Sequence, residues 1–331
     1  MADLIEAPGL MIGTGWDDYG LVDSGDGRKL ERYGAYRFIR PEPQALWSPR
    51  QADWNAHGEF VPGSDEDGGG RWRFDGVVPR DGWPLAWRDV RFTASCTPFR
   101  HLGFFPDMAP VWDWMGAMLG GEDGEPALRD GPADGARAAR PPQGAANLAP
   151  APQDEGLSTL NLFGYTGVGT LALSAHGPVT HVDASKKSVA QARANAQLAG
   201  LEQRPVRWIV DDAAKFAARE VRRGRRYDGI ILDPPKFGRG PEGEVWRLEE
   251  HLPGLVADCR RLLDADSRFL FLTVYAVRMS SLAIAGLLAE ALGDLPGRIE
   301  HGDLAVREDD AGTGRSRLLP TAIFARWTNP R

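Results

Sequence analysis

A chain of 331 residues, 42% of them apolar, is long enough for one large domain or two ordinary ones with a real core. It holds no run of eighteen apolar residues to cross a membrane as a helix, and its two cysteines and six scattered histidines offer neither a disulfide framework nor closely spaced metal ligands. A net charge of −7 excludes the chain-wide basic footprint by which nucleic-acid binders neutralise phosphates, and leaves only a local basic patch open.

The opening Met1-Ala2-Asp3-Leu4-Ile5-Glu6 lacks the basic and apolar regions of a secretory signal, so a cytoplasmic location is expected. Residues 1–119 read as a small β-rich (α+β) domain, expected to recognise substrate. Eight of the eleven tryptophans lie there. Tyr36–Arg40, Arg71–Phe74 and Val90–Thr93 alternate apolar and polar side chains, the period of short antiparallel strands, and turn-forming clusters such as residues 64–70 separate such runs. Pro110–Leu119 predicts a helix carrying Trp112 and Trp114. Residues 120–156 are rich in Gly, Pro, Ala and Asp and too poor in large apolar groups to offset their ordering entropy, which predicts a flexible connector.

From residue 157 to 331 strand-like and helix-like runs alternate. Strands are predicted at Leu157–Phe163, Val179–Val182, Val206–Val210, Tyr227–Leu232 and Phe269–Val274. Helices are predicted at Gly167–Ala175, Ser185–Ala199, Ala213–Gly224, a segment ending at Leu263, and Ser280–Leu292. The pattern means an α/β, Rossmann-like parallel sheet with helices on both faces. Two last strands, Arg298–Val306 and Leu318–Trp327, predict a terminal antiparallel hairpin.

The carboxyl ends of strands in such a sheet are where ligands bind. After the first strand comes Phe163-Gly164-Tyr165-Thr166-Gly167-Val168-Gly169, whose glycines permit a tight turn close to a ligand. Its Gly-x-x-Gly-x-Gly order is not the dinucleotide fingerprint, and no phosphate-cradling lysine follows, so a cofactor without phosphates fits better than NAD or ATP. Asp183, nineteen residues after Gly164, is placed to accept from ribose hydroxyls, with Ala184 and Ser185 behind it; helix capping is the competing role. Asp212, followed by Ala213, is placed to accept from an adenine amino group, again with a helix N-terminal charge as the alternative. Asp233-Pro234-Pro235-Lys236-Phe237 ends the fourth strand, and its prolines stiffen the backbone next to a carboxylate.

Taken together these features resemble the class I S-adenosylmethionine (SAM)-dependent methyltransferases. Phe163–Gly167 with Asp233–Phe237 is similar to the bacterial group that includes the ribosomal RNA large-subunit methyltransferases. The resemblance runs from about residue 30 to 331, and in the N-terminal part rests on Leu21–Gly25, Ile39–Gln44 and Gly103-Phe104-Phe105-Pro106-Asp107. It implies that Phe163, Gly164, Tyr165, Thr166 and Gly167 wrap the methionine part of SAM. It also implies Asp183 on the ribose, Asp212 near adenine, and Asp233 with Pro234 and Pro235 beside the methyl group. Tyr275, after the fifth strand, is expected to shape the same pocket. His101, Phe105, Lys236 and Phe237 are the candidates for substrate contact.

Cytosine-C5 members of that group place a nucleophilic cysteine after the fifth strand. Here Ala276 stands at that place, and Cys96 and Cys259 read as packing residues. C5 chemistry needs a thiolate adduct, so transfer to a nitrogen or oxygen is expected. Ribosomal RNA is the substrate the resemblance implies, although residues 1–119 hold 12 basic against 18 acidic groups, with Arg37, Arg40, Arg71, Arg73 and Trp72 as the candidate local patch. A small-molecule or protein methyltransferase is the alternative, and a SAM-binding module without catalysis a remoter one. No membrane, no metal and an open oligomeric state complete the expectation.

Overall fold

A computed structural model describes residues 5–63, 69–120, 157–275, 278–310 and 316–329. The expected connector, from residue 121 onward, the turn residues 64–68, and Ala276 lie outside the described residues.

The N-terminal part contains β1 (Gly9–Gly13), β2 (Tyr19–Gly25), β3 (Arg28–Tyr33), β4 (Tyr36–Pro41), β5 (Gly58–Pro62), β6 (Gly70–Phe74), β7 (Trp83–Trp87) and β8 (Val90–Ala94). A turn of 3-10 helix, Pro106–Met108, then leads into α1 (Ala109–Gly120). β2 to β6 form a five-stranded sheet in chain order, antiparallel except where β5 lies parallel to β4. The C-terminal part follows as β9 (Thr159–Leu162), α2 (Val168–Leu173), β10 (Val179–Asp183), α3 (Lys186–Ala199), β11 (Val206–Val210), α4 (Ala213–Arg222), β12 (Gly229–Leu232), β13 (Phe237–Arg239), β14 (Val245–Arg247), α5 (Leu248–Arg261), β15 (Phe269–Val274), α6 (Ser281–Leu292), β16 (Arg298–Arg307) and β17 (Leu318–Thr328).

The large sheet has the order β1-β16-β17-β15-β12-β9-β10-β11. The five predicted strands are parallel, and β17 runs antiparallel to both β15 and β16, as the terminal hairpin requires. From β9 the chain winds one way through β10 and β11, then crosses to β12 on β9's other side. That reversal opens a crevice between the carboxyl ends of β9 and β12.

Both sheet faces are buried, so every residue of β15 is buried and all but Thr273 are apolar. Phe269 and Phe271 face α1 and α2, while Leu270 and Leu272 face α5 and α6. Trp114 of α1 sits 5.4 and 5.3 Å from the rings of Phe269 and Phe271, with Arg326 over it at 4.5 Å. Thus α1 is a layer of the large sheet, and β1 is its edge strand, parallel to β16. The part read as residues 1–119 therefore supplies two elements to the larger core. The β7–β8 hairpin also docks there: Thr93 N–H donates to Asn195 Oδ1 of α3 at 3.0 Å.

The arginine patch expected in the N-terminal part does not form as read. Arg40 is buried, and its guanidinium donates to both carboxylate oxygens of buried Glu31 at 2.6 and 2.8 Å. Arg73 pairs with Glu59 at 2.7 Å.

Candidate active site

Register brings the strand tips together. Leu162 of β9 lies level with Val182 of β10 and Leu232 of β12, and Leu232 lies level with Leu272 of β15. The residues that follow, Phe163, Asp183, Asp233 and Thr273, therefore emerge side by side. The cleft they border is lined by the whole Phe163–Gly169 loop, Asn161 and Asp233 from the large sheet, and by Phe105, Met108 and Trp112 from the N-terminal part.

The loop is held in an unusual shape. Phe163 (φ 63°) and Tyr165 (φ 49°) occupy the left-handed region, at a cost of order 1–3 kcal/mol each. Its partners over-determine it. Asp183 Oδ2 accepts from Tyr165 N–H at 2.9 Å, and Thr166 Oγ1 donates to the Gly103 carbonyl at 2.6 Å. Asn195 Nδ2 donates to the Thr166 carbonyl at 2.9 Å. Gly167 has φ 79°, and a Cβ there would meet the Ala192 side chain at 2.7 Å, so this position needs glycine for both backbone and space.

Asp183 also accepts from Ser185 N–H at 2.8 Å, while Ser185 Oγ caps α3 by accepting from Ser188 N–H. Burial raises the Asp183 carboxyl above its ordinary value against the pull of these two donors. At the neighbouring tip Asp212 Oδ1 caps α4 by accepting from Lys215 N–H at 2.9 Å, and buried Ala213 starts that helix. Asp211 is paired with Arg219. Asp211 N–H donates to the Asp183 carbonyl at 3.1 Å, and neither Asp183 nor Asp212 is among the residues that line the cleft.

Asp233 is half-buried between Thr273 and the cleft. Its Oδ1 accepts from Thr273 Oγ1 at 2.5 Å. Burial raises its carboxyl to about 7, the Thr273 bond opposes the rise, and the negative charge of Asp107 adds to it. Tyr275, two residues after Thr273, packs its ring 5.6 Å from Phe105. Its buried hydroxyl lies near Asp107 and Asp233 and completes no hydrogen bond of good geometry among the described residues. Pro234 is buried and Pro235 exposed; the Pro235 carbonyl accepts from Trp246 Nε1 at 2.7 Å, which ties the turn to the β13–β14 hairpin.

His101 and Phe105 reach the same place. His101 Nδ1 is 3.1 Å from the Tyr165 hydroxyl, and the Phe105 ring is 5.7 Å from that of Tyr165. Burial, with Arg40 and Arg100 nearby, lowers His101 to about 4, so its imidazole is neutral at pH 7. Phe99 stacks on His101 at 5.6 Å and is 49% exposed, which extends the aromatic row to the surface. Lys236 and Phe237 are exposed on the hairpin side.

Several site residues escaped the sequence reading. Asp107, Thr273 and Asn161 carry no motif of their own, though Asp107 closes the Gly103–Asp107 segment quoted above. Met108, Trp112 and Met115 line the cleft at helical spacing, a pattern that reads as core.

The cleft and the strand tips beside it thus offer a half-buried acceptor at the second tip, a glycine loop free of lysine, and a stiff carboxylate-bearing turn at the fourth. That donor and acceptor set suits an adenosyl group without phosphates better than a dinucleotide, and with the sheet order it defines a class I methyltransferase.

Comparison with known proteins agrees. A SAM-dependent methyltransferase from Agrobacterium tumefaciens is 40% identical with a TM-score of 0.83, over 98% of this chain and 95% of that one. The chain belongs to the SAM-dependent methyltransferases, and SAM is its methyl donor. A methyltransferase complexed with SAH shares the fold at 16% identity and a TM-score of 0.63, over 94% of this chain and 76% of that one. The ribosomal RNA large subunit methyltransferase I of Aeromonas hydrophila is 39% identical over 85 residues, which are 25% of this chain. That match spans 21% of the curated relative's length. No family model matches the chain.

Proposed function

We propose that this chain methylates a nitrogen or oxygen of an unpaired base in ribosomal RNA, with Asp233 as the group that accepts the proton. The observation that carries the reading is the Asp233 carboxyl at the β12 tip, facing the cleft and raised to about 7. A base poised near neutrality combines a useful deprotonated fraction with real proton affinity.

Bound SAM supplies an electrophilic methyl group. Asp183 would accept from the ribose hydroxyls, Asp212 would stand toward the adenine end, and the Phe163–Gly167 loop would surround the methionine part. Asp233 accepts a hydrogen bond from the N–H or O–H of the nucleophile, aligns its lone pair, and keeps the proton that is released. Pro234 and Pro235 fix the backbone that carries it. Tyr275 packs against Phe105 and would steady that wall of the cleft.

The position of both thiols supports nitrogen or oxygen over a pyrimidine carbon. Cys259 is buried in α5 among the core on the far side of the sheet, and burial raises its thiol. Cys96 lies outside the cleft lining, and burial raises its thiol to about 12. Neither supplies a thiolate at the cleft. The row Phe99, His101, Phe105, with neutral His101, suits stacking of a planar base.

The test is a comparison of modified nucleosides in large-subunit ribosomal RNA from cells with and without the gene, followed by transfer of labelled methyl to the unmodified RNA. Loss of one N- or O-methylated nucleoside is expected. An unchanged nucleoside profile, with labelled methyl appearing only on metabolites or proteins, overturns the RNA reading and leaves the methyltransferase class intact.

A further inference from the structure

Five of the eight residues from Arg219 to Arg226 are arginine, in a chain of net charge −7. α4 ends at Arg222, and Gly224, at φ 67°, turns the chain back. Gly224 N–H donates to the Val221 carbonyl at 3.0 Å and Arg225 N–H to the Glu220 carbonyl at 3.1 Å, a closure that leaves the four arginines of the turn exposed. Arg226 borders a groove of about 700 Å³ at the ends of α4, α5 and α6, with Arg260, Arg261, Glu290 and Asp294.

Acidic neighbours account for part of this charge. Arg223 pairs with Glu220, Arg260 with Asp294 through two bonds of 2.7 and 2.5 Å, and Arg261 with Asp258. Arg222, Arg225 and Arg226 have no ion pair among the described residues. Cations in the last turn of a helix gain about 0.3–1 kcal/mol from its dipole, but the effect fades within that turn, and Arg225 and Arg226 lie beyond it. Unpaired guanidinium groups crowded into one turn repel each other until an anion with several acceptor oxygens joins them.

The patch is far from the chemistry. α4 starts at Ala213, capped by Asp212 beside the strand tips, and its ten residues rise about 15 Å to Arg222. A mononucleotide cannot span from there to Asp233, whereas a polynucleotide can.

We propose that the Arg222–Arg226 turn, with the groove at the end of α5, anchors the phosphodiester backbone of the RNA whose target base enters the Asp233 cleft. The inference rests on the RNA reading above and adds that the substrate is an extended strand gripped at two ends of the sheet. Arginine forks match phosphate oxygens two at a time, and contacts of this kind position an RNA without reading its sequence.

The experiment uses the full chain, its R222Q/R225Q/R226Q variant, and unmodified large-subunit ribosomal RNA over a salt series, with SAH affinity by calorimetry as the control for folding. Each lost phosphate contact lowers the slope of log affinity against log salt by roughly 1, so a fall of about 2–3 is expected. KM for RNA should rise at least tenfold while kcat and SAH affinity stay put. An unchanged slope and KM, with the RNA still methylated, overturns the anchor and leaves the RNA reading standing. Absence of salt-dependent RNA binding by the unaltered chain overturns both. Tighter retention of polyglutamate than of RNA at equal charge, lost in the variant, overturns the anchor in favour of an acidic protein partner.

Discussion

Replacing Asp233 with Asn separates what the site does from what it costs. Raising a carboxyl from 3.8 to about 7, at 1.36 kcal/mol for each tenfold change in proton affinity, amounts to about 4 kcal/mol at most. The half-buried setting of Asp233 brings the expectation nearer 2–3 kcal/mol. The sign follows from the raised value. Below about pH 4 both the folded and unfolded chains hold the proton. Between about 4 and 7 the unfolded chain releases it and the folded chain keeps it, so stability falls as pH rises, and above 7 the loss is complete. Asn cannot ionise and mimics the protonated form. Chemical denaturation should therefore find Asp233→Asn close to the parent at pH 4.5 and about 2–3 kcal/mol more stable at pH 8.5. Methyl transfer should fall roughly 10²–10⁴-fold, the usual contribution of a positioned proton acceptor, and the parent's kcat/KM should rise with pH to a plateau above about 7. A stability difference that does not change with pH would refute the buried-charge argument. Full transfer activity in the variant would remove Asp233 from the chemistry.

Asp183→Ala should weaken SAM binding by roughly 1–3 kcal/mol in calorimetry, because the Tyr165 and Ser185 N–H groups lose their acceptor as well as the ribose. Gly167→Ala should cost about 1–3 kcal/mol of stability by denaturation and disturb SAM binding, since φ 79° and the Ala192 side chain both oppose a Cβ. Trp114→Ala should cost about 3–5 kcal/mol in one cooperative transition; two separate transitions would show that α1 does not belong to the large core. Asp107→Asn removes a negative charge near Asp233, so the rising limb of the pH–rate profile should move to lower pH. A profile that keeps its midpoint would leave Asp107 a purely structural role.

The repeating strand–helix pattern was legible because it is written locally. Phe269–Val274 is apolar at every position but Thr273 since both faces are covered, and Ser185, Asp212 and Ser280 each stand where a helix cap is needed. Helix α4 shows the usual uncertainty at an end: the run to Gly224 reads as one helix, but the last helical residue is Arg222 and Gly224 belongs to the closing turn. The four acidic or glycine-rich strand tips were legible for a related reason. Parallel strands in a doubly wound sheet deliver their carboxyl ends to one edge, so sequence order alone implies that those tips share a face.

What stayed hidden depends on contacts between distant segments. Gly9–Gly13 has no period that marks it as the edge of a sheet whose partner strand begins at Arg298. Likewise nothing in Pro110–Leu119 says that Trp114 packs on Phe269 and Phe271, about 150 residues away. The cleft inherits this division. The segment from Phe163 to Asp183, proposed to hold the cofactor, comes from consecutive elements and could be read in order. The opposite wall is assembled from Phe105, Met108 and Trp112 against Asp233, with Tyr275 packed on Phe105, and no single stretch of chain displays it. The wall proposed to meet the substrate is thus the part built from non-local packing. This is why the residues specify a methyltransferase more readily than they specify what it methylates.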